Sequence, residues 1–460
     1  MPSKVSKGQW DVAAIVAIIL LAFSVVLGGA SREHTLRLAI VELAALPVLV
    51  IGASRLIRSG IWREHRFALG LLAALTALPL VQLIPLPPAL WTGLPGRGEL
   101  VLALELAGLQ PGWAPLSLTP DLTWGSALAL IPPVAVFLLV LSSSHALTSR
   151  LIGVYLIAAV VGVLLGAAQL ASGGERLYPW ETTSAGSVTG FFANRNHLAT
   201  LLLSCLPFAA VFGAATLRHR ADDRRLALWF GALFMGLVVV GLAAIRSRAG
   251  VILFGPVAIV SLLAAWIAAG RGRPGPALLG MAGAVAATIG AVALFALPPI
   301  LARFDVQSAP EGRFEGWPIV ADAAETHLPL GSGIGSFDAV FRSFEPLEQL
   351  DPTFFNHAHN EYLETWLEAG WPGAILIIAF FVWFGRRLWA AWRAGLSRER
   401  DLQRAATIAL MVMLAHSAVD YPLRTATLAC LFALCAAILE KAGRPTDREL
   451  AEPAGRSARA

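Results

Sequence analysis

The sequence predicts an all-α, polytopic integral membrane protein with about twelve spanning helices. Three observations predict it. Hydrophobic residues fill 57% of the 460 positions and charged residues only 14%, whereas soluble domains carry about 25% charged residues. Mean hydropathy is +0.69. Apolar runs of roughly 20 residues, long enough to cross the hydrocarbon layer, recur along the whole chain. A net charge of +5 and a pI near 9.5 would suggest nucleic acid in a soluble protein. Here the basic excess belongs to one set of loops, so membrane lipids are the expected surroundings and nucleic acid is not a partner.

The spans are expected to centre near residues 21, 44, 76, 132, 160, 201, 235, 259, 286, 378, 409 and 432. The first follows Lys4 and Lys7; it is too long for a signal-peptide core and is expected to be a retained helix. Loop charge then sets the topology. Arg55, Arg58, Arg63 and Arg66 follow span two, and Arg218, Arg220, Arg224 and Arg225 follow span six. Arg271 and Arg273 follow span eight, Arg386, Arg387, Arg393, Arg398 and Arg400 span ten, and Lys441, Arg444 and Arg448 span twelve. All fall on one side if both termini are cytoplasmic, as the positive-inside rule requires. Two outer segments are long. Residues 87–122, rich in Pro, Leu and Gly with Trp91 and Trp113, are expected to lie along the interface as a re-entrant or amphipathic piece. Residues 298–368 form the largest hydrophilic stretch, a length that usually carries function. A disordered cytoplasmic tail is expected at 443–460. Cys205, Cys430 and Cys435 sit inside apolar runs and read as small core residues.

Five polar constellations fall on the cation-poor outer side. The first is Asn356-His357-Ala358-His359-Asn360-Glu361-Tyr362-Leu363. From Ala358 it reads as a helix that stops at Gly370, with Pro372 beyond. His359, Tyr362, Leu363 and Trp366 would then share one face, and Glu361, Glu364 and Glu368 another. A histidine in that first turn, kept neutral by the helix N-terminus, suits a general base; hydrogen bonding to a loop carbonyl is the alternative. The second is Ile245-Arg246-Ser247-Arg248-Ala249-Gly250 at the exit of span seven. Arginines beside apolar helices require an anionic partner or snorkel to the interface.

The third is Asn194-Arg195-Asn196-His197 at the mouth of span six, which can bind an anion or cap the helix. The fourth joins Gly312-Arg313-Phe314-Glu315-Gly316-Trp317 to Leu330-Gly331-Ser332-Gly333-Ile334-Gly335-Ser336-Phe337. Phe314, Trp317, Val320, Ala321 and Ala324 mark an amphipathic outer helix, and the glycines a tight turn. The fifth places His416, Asp420 and Arg424 at successive four-residue intervals, where an Asp420–Arg424 pair could orient neighbours or serve structure alone. No metal-ligand spacing and no Asp-x-Asp pair occurs, so no metal and no other cofactor is expected.

With these motifs in this order the chain resembles the O-antigen ligase/polymerase family of bacterial membrane glycosyltransferases. The family pattern of His-Asn, nine residues, then Gly-x-x-Gly fits His359-Asn360 through Gly370 and Gly373. Its Ser-Arg fits Ser247-Arg248, and its Arg, Trp and glycine-rich turn fit Arg313, Trp317 and Leu330 to Phe337. The resemblance spans about 190–424 within a membrane domain of 1–442. It implies a glycosyltransferase C type fold with a long periplasmic loop at 298–368, in a bacterial inner membrane. It also implies transfer of a glycan from undecaprenyl diphosphate to an acceptor-sugar hydroxyl at the periplasmic face, without metal. The acceptor would be lipid A core for a ligase or a growing polysaccharide for a polymerase. By position, His359 would be the base, and Arg248, Arg313 and Arg195 would bind the diphosphate. Asn196, Arg246, Asn360, Asp420 and Arg424 would be further substrate-binding residues. A secondary transporter is the main alternative, but its usual repeats and midplane charges are not visible here.

Overall fold

The computed structural model describes residues 12–30, 35–173, 177–180, 187–216, 221–270, 312–347 and 355–441, with a few positions between 280 and 290. The described residues are mostly helical. In order come α1 (Val12–Leu27), α2 (Thr35–Ser59), α3 (Arg66–Gln82), short α4 (Pro88–Trp91) and α5 (Gly98–Leu106), then α6 (Pro120–Ala129) and α7 (Ile131–Leu141). Next are α8 (His145–Ala171), α9 (Arg195–Thr216), α10 (Ala221–Ile245) and α11 (Arg248–Ala268). After them come α12 (Gly312–Thr326), α13 (Phe337–Phe344), α14 (Glu361–Arg393), α15 (Arg398–Ser417) and α16 (Ala426–Glu440). Helix starts follow local chemistry. Ser144, Ser247, Asn360 and Ser397 cap α8, α11, α14 and α15 by accepting first-turn N–H groups.

Among the described residues, six helical stretches are long and apolar enough to cross a membrane, and four further apolar helices are shorter. Every expected span centre falls inside a described helix except the ninth, whose surroundings near residue 286 lie mostly outside the described residues. The expected tail at 443–460 also lies outside them. Helix α15 meets neither apolar criterion, because its first two turns carry Arg398, Glu399, Arg400, Asp401 and Arg404. Helix α9 is the central one: 89% of its span is buried, against 22–50% for the other five. It packs on α8, α10, α11 and α15. The three cysteines are buried thiols, as apolar context predicts.

Residues that loop charge assigns to one side meet in space. At one end Glu440 accepts from His65, Trp383 and Arg387, tying the start of α3 to α14 and α16. At the other end Asn194, His359 and Asp420 converge. Residues 312–347 and 355–367 build a small core of their own from Val320, Ala323, Ala324, Phe337, Val340, Phe341, Ala358 and Leu367. The face of α12 is not quite the expected one. Val320 and Ala324 are buried, but Phe314 is exposed, and Ala323 takes a core place.

The 87–122 segment carries the short helices α4 and α5 and a strand that pairs with the residues just before it. Pro85–Leu86 pairs antiparallel with Ala114–Pro115. Trp91 is buried while Trp113 is exposed. Beyond that hairpin, the segment grips the glycine-rich turn: Leu118 N–H donates to the Ser332 carbonyl and the Thr123 hydroxyl to the Ile334 carbonyl.

Candidate active site

Helix α14 starts at Glu361, not at Ala358. The Asn360 side chain accepts the N–H groups of Tyr362 and Leu363, each at 3.1 Å, and so ends the helix there. His359 therefore lies ahead of the helix and does not share a face with Tyr362 and Trp366. It adopts φ +49°, a left-handed conformation that costs a non-glycine residue about 1–3 kcal/mol. The strain turns its ring back over Tyr421, at 4.9 Å between centroids, and sets Nδ1 3.6 Å from Asp420 Oδ1. The ring stays partly exposed.

Asp420 is buried in the linker between α15 and α16, and its carboxylate is almost fully accounted for. Asn194 donates to Oδ1 at 3.1 Å, Asn196 donates to Oδ2, and the backbone N–H of Tyr421 donates to Oδ1 at 2.9 Å. His197 Nε2 stands 3.7 Å from the same Oδ1. Burial opposes ionisation of Asp420, but His197 and His359 outweigh it and hold the carboxyl well below the usual range. Burial and the adjacent Asp420 push the Tyr421 phenol up. One turn further along α9, the Thr200 hydroxyl and His416 Nδ1 are 3.0 Å apart. Thus four of the nine histidines, His197, His357, His359 and His416, gather around Asp420 and Tyr421.

The acidic face of α14 is the buried one, the reverse of what its polarity suggests. Glu364 and Glu368 are almost fully enclosed, and Glu361 nearly so. Their partner is Arg424, 2.9 Å from Glu368 Oε2 and 3.3 Å from Glu364 Oε1. The expected Asp420–Arg424 pair is therefore absent: the linker's short 3₁₀ turn at Pro422–Arg424 aims the guanidinium at α14. Glu364 also accepts from His357 Nδ1 at 2.8 Å and from the Ala358 N–H at 3.0 Å. Glu361 accepts from Ser417 and from the Leu423 N–H. Glu368 Oε1 takes the N–H groups of Gly335 and Phe337 from the glycine-rich turn. The turn lies flat against α14, where a Cβ at Gly331 would come 2.5 Å from the Glu368 carbonyl carbon. At Gly370 the helix breaks as expected, with φ +51° and ψ −139°, and the next N–H donates to the Pro329 carbonyl.

The arginines divide. Arg195 opens α9 and donates to the Ser187 hydroxyl at 3.3 Å. Arg248 opens α11, half-buried, behind the Ser247 cap. Gly250 lies against Ala199, where an added Cβ would be 3.0 Å from the alanine Cβ, so the starts of α9 and α11 are side by side. Arg246 is exposed and left-handed at φ +54°. Arg313 lies in the first turn of α12, with its side chain outside the described residues. Of the other candidates, Asn196 binds Asp420, Asn360 caps α14, and Arg424 holds the glutamates.

Sequence reasoning missed the structural roles of His357, Glu364, Glu368 and Tyr421. A signal existed for the helix start: Asn360 followed by Glu361 and Glu364 in the first turn is an N-terminal pattern. Nothing local brings His197 to the neighbouring His357 and His359 around Tyr421, because it lies far from them along the chain.

Two comparisons bear on this arrangement. No curated protein matches the chain significantly. Residues 230–378 match the O-antigen ligase family model. The matched stretch holds Ser247-Arg248, Arg313, the glycine-rich turn and His359-Asn360; residues 194–200 and 416–424, which complete the cluster around His359, lie outside it. The motif order and the matched stretch agree: over residues 230–378 the chain is similar to the O-antigen ligase family.

Proposed function

We propose that the protein transfers a glycan from undecaprenyl diphosphate to a hydroxyl of a lipid A core sugar, as an O-antigen ligase, at the periplasmic end of the bundle. The observation that carries this reading is the placement of His359, partly exposed, with Nδ1 turned towards the buried Asp420 carboxylate. A carboxylate behind Nδ1 favours the tautomer with the proton there and leaves Nε2 as the base. The 3.6 Å gap is typical of a site that tightens when substrate binds.

In the reaction the acceptor oxygen bonds to the anomeric carbon while the bond from that carbon to phosphate oxygen breaks. The acceptor's proton goes to His359 Nε2. The diphosphate leaves with the bonding electron pair, and arginine guanidinium groups bind its oxygens in a bidentate manner. Arg248, Arg313 and Arg195 are the residues assigned to that task, with Arg246 outside them. They take the place of a divalent cation, so transfer is metal-independent in this reading.

The test is transfer by purified protein in liposomes, given lipid-linked glycan and lipid A core. Glycosylated lipid A core is the expected product. Elongated lipid-linked glycan instead would assign polymerisation, and no product from either acceptor would end the proposal. In cells, deletion is expected to remove long glycan from lipid A core, whereas single-repeat chains would indicate a polymerase.

A further inference from the structure

His197 lies almost fully buried at the start of α9, two positions after Arg195. Its ring meets Tyr421 edge-on at 5.1 Å and Phe192 at 6.0 Å. Neither ring nitrogen makes a hydrogen bond within 3.5 Å among the described residues, and Nε2 points at Asp420 Oδ1 from 3.7 Å. Burying polar nitrogens without partners costs about 1–3 kcal/mol each. An apolar ring of the same size would avoid that cost in this aromatic setting. The position is therefore one where an imidazole costs local stability.

His359 approaches the same oxygen at 3.6 Å. One carboxylate oxygen thus stands between two imidazoles, one interior and one facing the proposed substrate. A single negative charge can stabilise one imidazolium well but not two, because the second cation is repelled by the first. We propose that His197 is a positioning residue for glycosyl transfer, which sets, through Asp420, the orientation of His359 and the pH at which His359 can act as a base. The proposal rests on the reading of His359 as that base. In the productive state His197 is neutral and donates Nε2–H to Asp420 Oδ1, leaving the carboxylate ionised. His359 then takes the acceptor's proton at Nε2, and Asp420 stabilises the resulting imidazolium. No other proton moves. On acidification the two imidazoles compete for one carboxylate.

The titratable groups around His197 are Asp420 and Tyr421 from the linker, His416 at the end of α15, and His359 ahead of α14. Arg248 heads the adjacent α11. His416 is oriented by Thr200, and the Tyr421 ring is packed against those of His197 and His359. That leaves His197 and His359 as the pair sharing Oδ1.

Two variants separate the roles. His197→Gln keeps an amide donor towards Asp420 but does not titrate. Its transfer rate is expected to stay within about threefold of wild type at alkaline pH, while the acid limb of the pH–rate profile moves up by roughly half a unit or more, because Asp420 then serves His359 alone. His197→Phe keeps the ring packing and loses the donor; transfer is expected to fall at least tenfold at unchanged protein level. Histidine-selective ¹³C NMR in nanodiscs reads the linkage without turnover: in His197→Gln, His359 should take up its proton at higher pH. A wild-type NMR titration and pH profile in both variants would overturn the positioning role while leaving His359 as base. Loss of transfer in wild type overturns the catalytic reading, and the NMR titration still decides the linkage between the rings.

Discussion

Arg424 donates to Glu368 Oε2 across 2.9 Å, and the other oxygen of that carboxylate accepts the Gly335 N–H at 2.8 Å. One glutamate thereby joins the α15–α16 linker to the glycine-rich turn. Burial lowers the proton affinity of the Arg424 guanidinium, but Glu368, Glu364 and Glu361 more than reverse this and keep it charged.

Removal of Arg424 should therefore unfold this end of the protein. Arg424→Ala leaves buried carboxylates without their cation, a change that costs about 3–5 kcal/mol. A large fall in melting temperature in detergent is expected. The double variant Arg424→Ala, Glu368→Gln should recover part of it, because one uncompensated charge is gone. If Arg424→Ala melts like wild type, the cluster does not hold the site together.

Gly370→Ala should be nearly as damaging. At φ +51° and ψ −139° an alanine is strained by about 1–3 kcal/mol. Its Cβ would also come 2.3 Å from the Pro329 carbonyl oxygen. That oxygen accepts the Trp371 N–H, so the turn must move. Lower thermal stability together with lost transfer is the expected outcome; full activity would mean that the turn's position is unimportant.

Much of this was visible in the sequence, and the reason for the rest is physical. The break at Gly370 and the turn at 331–335 follow from glycine's access to left-handed backbone, a local property. The inward face of α14 was not visible. Three glutamates at helical spacing look solvated until Arg424, 56 residues from Glu368, supplies the charge that makes burial tolerable. The position of His359 was misjudged by one helical turn because the Asn360 cap and the residue it caps are adjacent, and only the cap geometry separates them. The partition of the arginines between helix starts was visible in outline, since Ser247-Arg248 is a cap followed by a first residue.

His359→Ala should abolish transfer with normal membrane insertion, and Asp420→Asn should lower it at least tenfold, the scale of a lost base-orienting contact. The pH behaviour discriminates between them. Asp420 has a depressed folded pKa. Its contribution to stability is therefore fully present above the ordinary carboxylate value and is lost only as pH falls through the depressed one. Between about pH 5 and 8 the carboxylate stays ionised, so Asp420 itself should add no pH dependence to thermal stability there. An acid limb in transfer over that interval is then not the titration of Asp420. A melting temperature that falls steeply with pH in wild type but not in Asp420→Asn would contradict this.

The proposed topology makes the 298–368 segment periplasmic and 217–225 cytoplasmic. Alkaline phosphatase fused after residue 345 should be active, and fused after 221 inactive. The opposite pattern would move the whole candidate site to the cytoplasmic side and remove lipid-linked glycan presented outside as its donor.

The last test concerns the diphosphate. If Arg248 and Arg313 bind it, charge alone will not replace them, because lysine lacks the planar fork that matches phosphate oxygens. Arg248→Lys and Arg313→Lys should each lose about 2–4 kcal/mol of transition-state stabilisation, roughly 30- to 1,000-fold in rate. Protein level and melting temperature should change little, since Arg248 lies at a helix start already capped by Ser247. Arg246→Lys serves as a comparison, because that side chain is exposed and should tolerate the change within about threefold, as surface substitutions do. Transfer should also survive EDTA, as the guanidinium groups supply the positive charge that a divalent cation would otherwise bring to the leaving group. Near-wild-type rates in both lysine variants, combined with inhibition by EDTA, would transfer that role to a metal and leave the arginines as interfacial anchors.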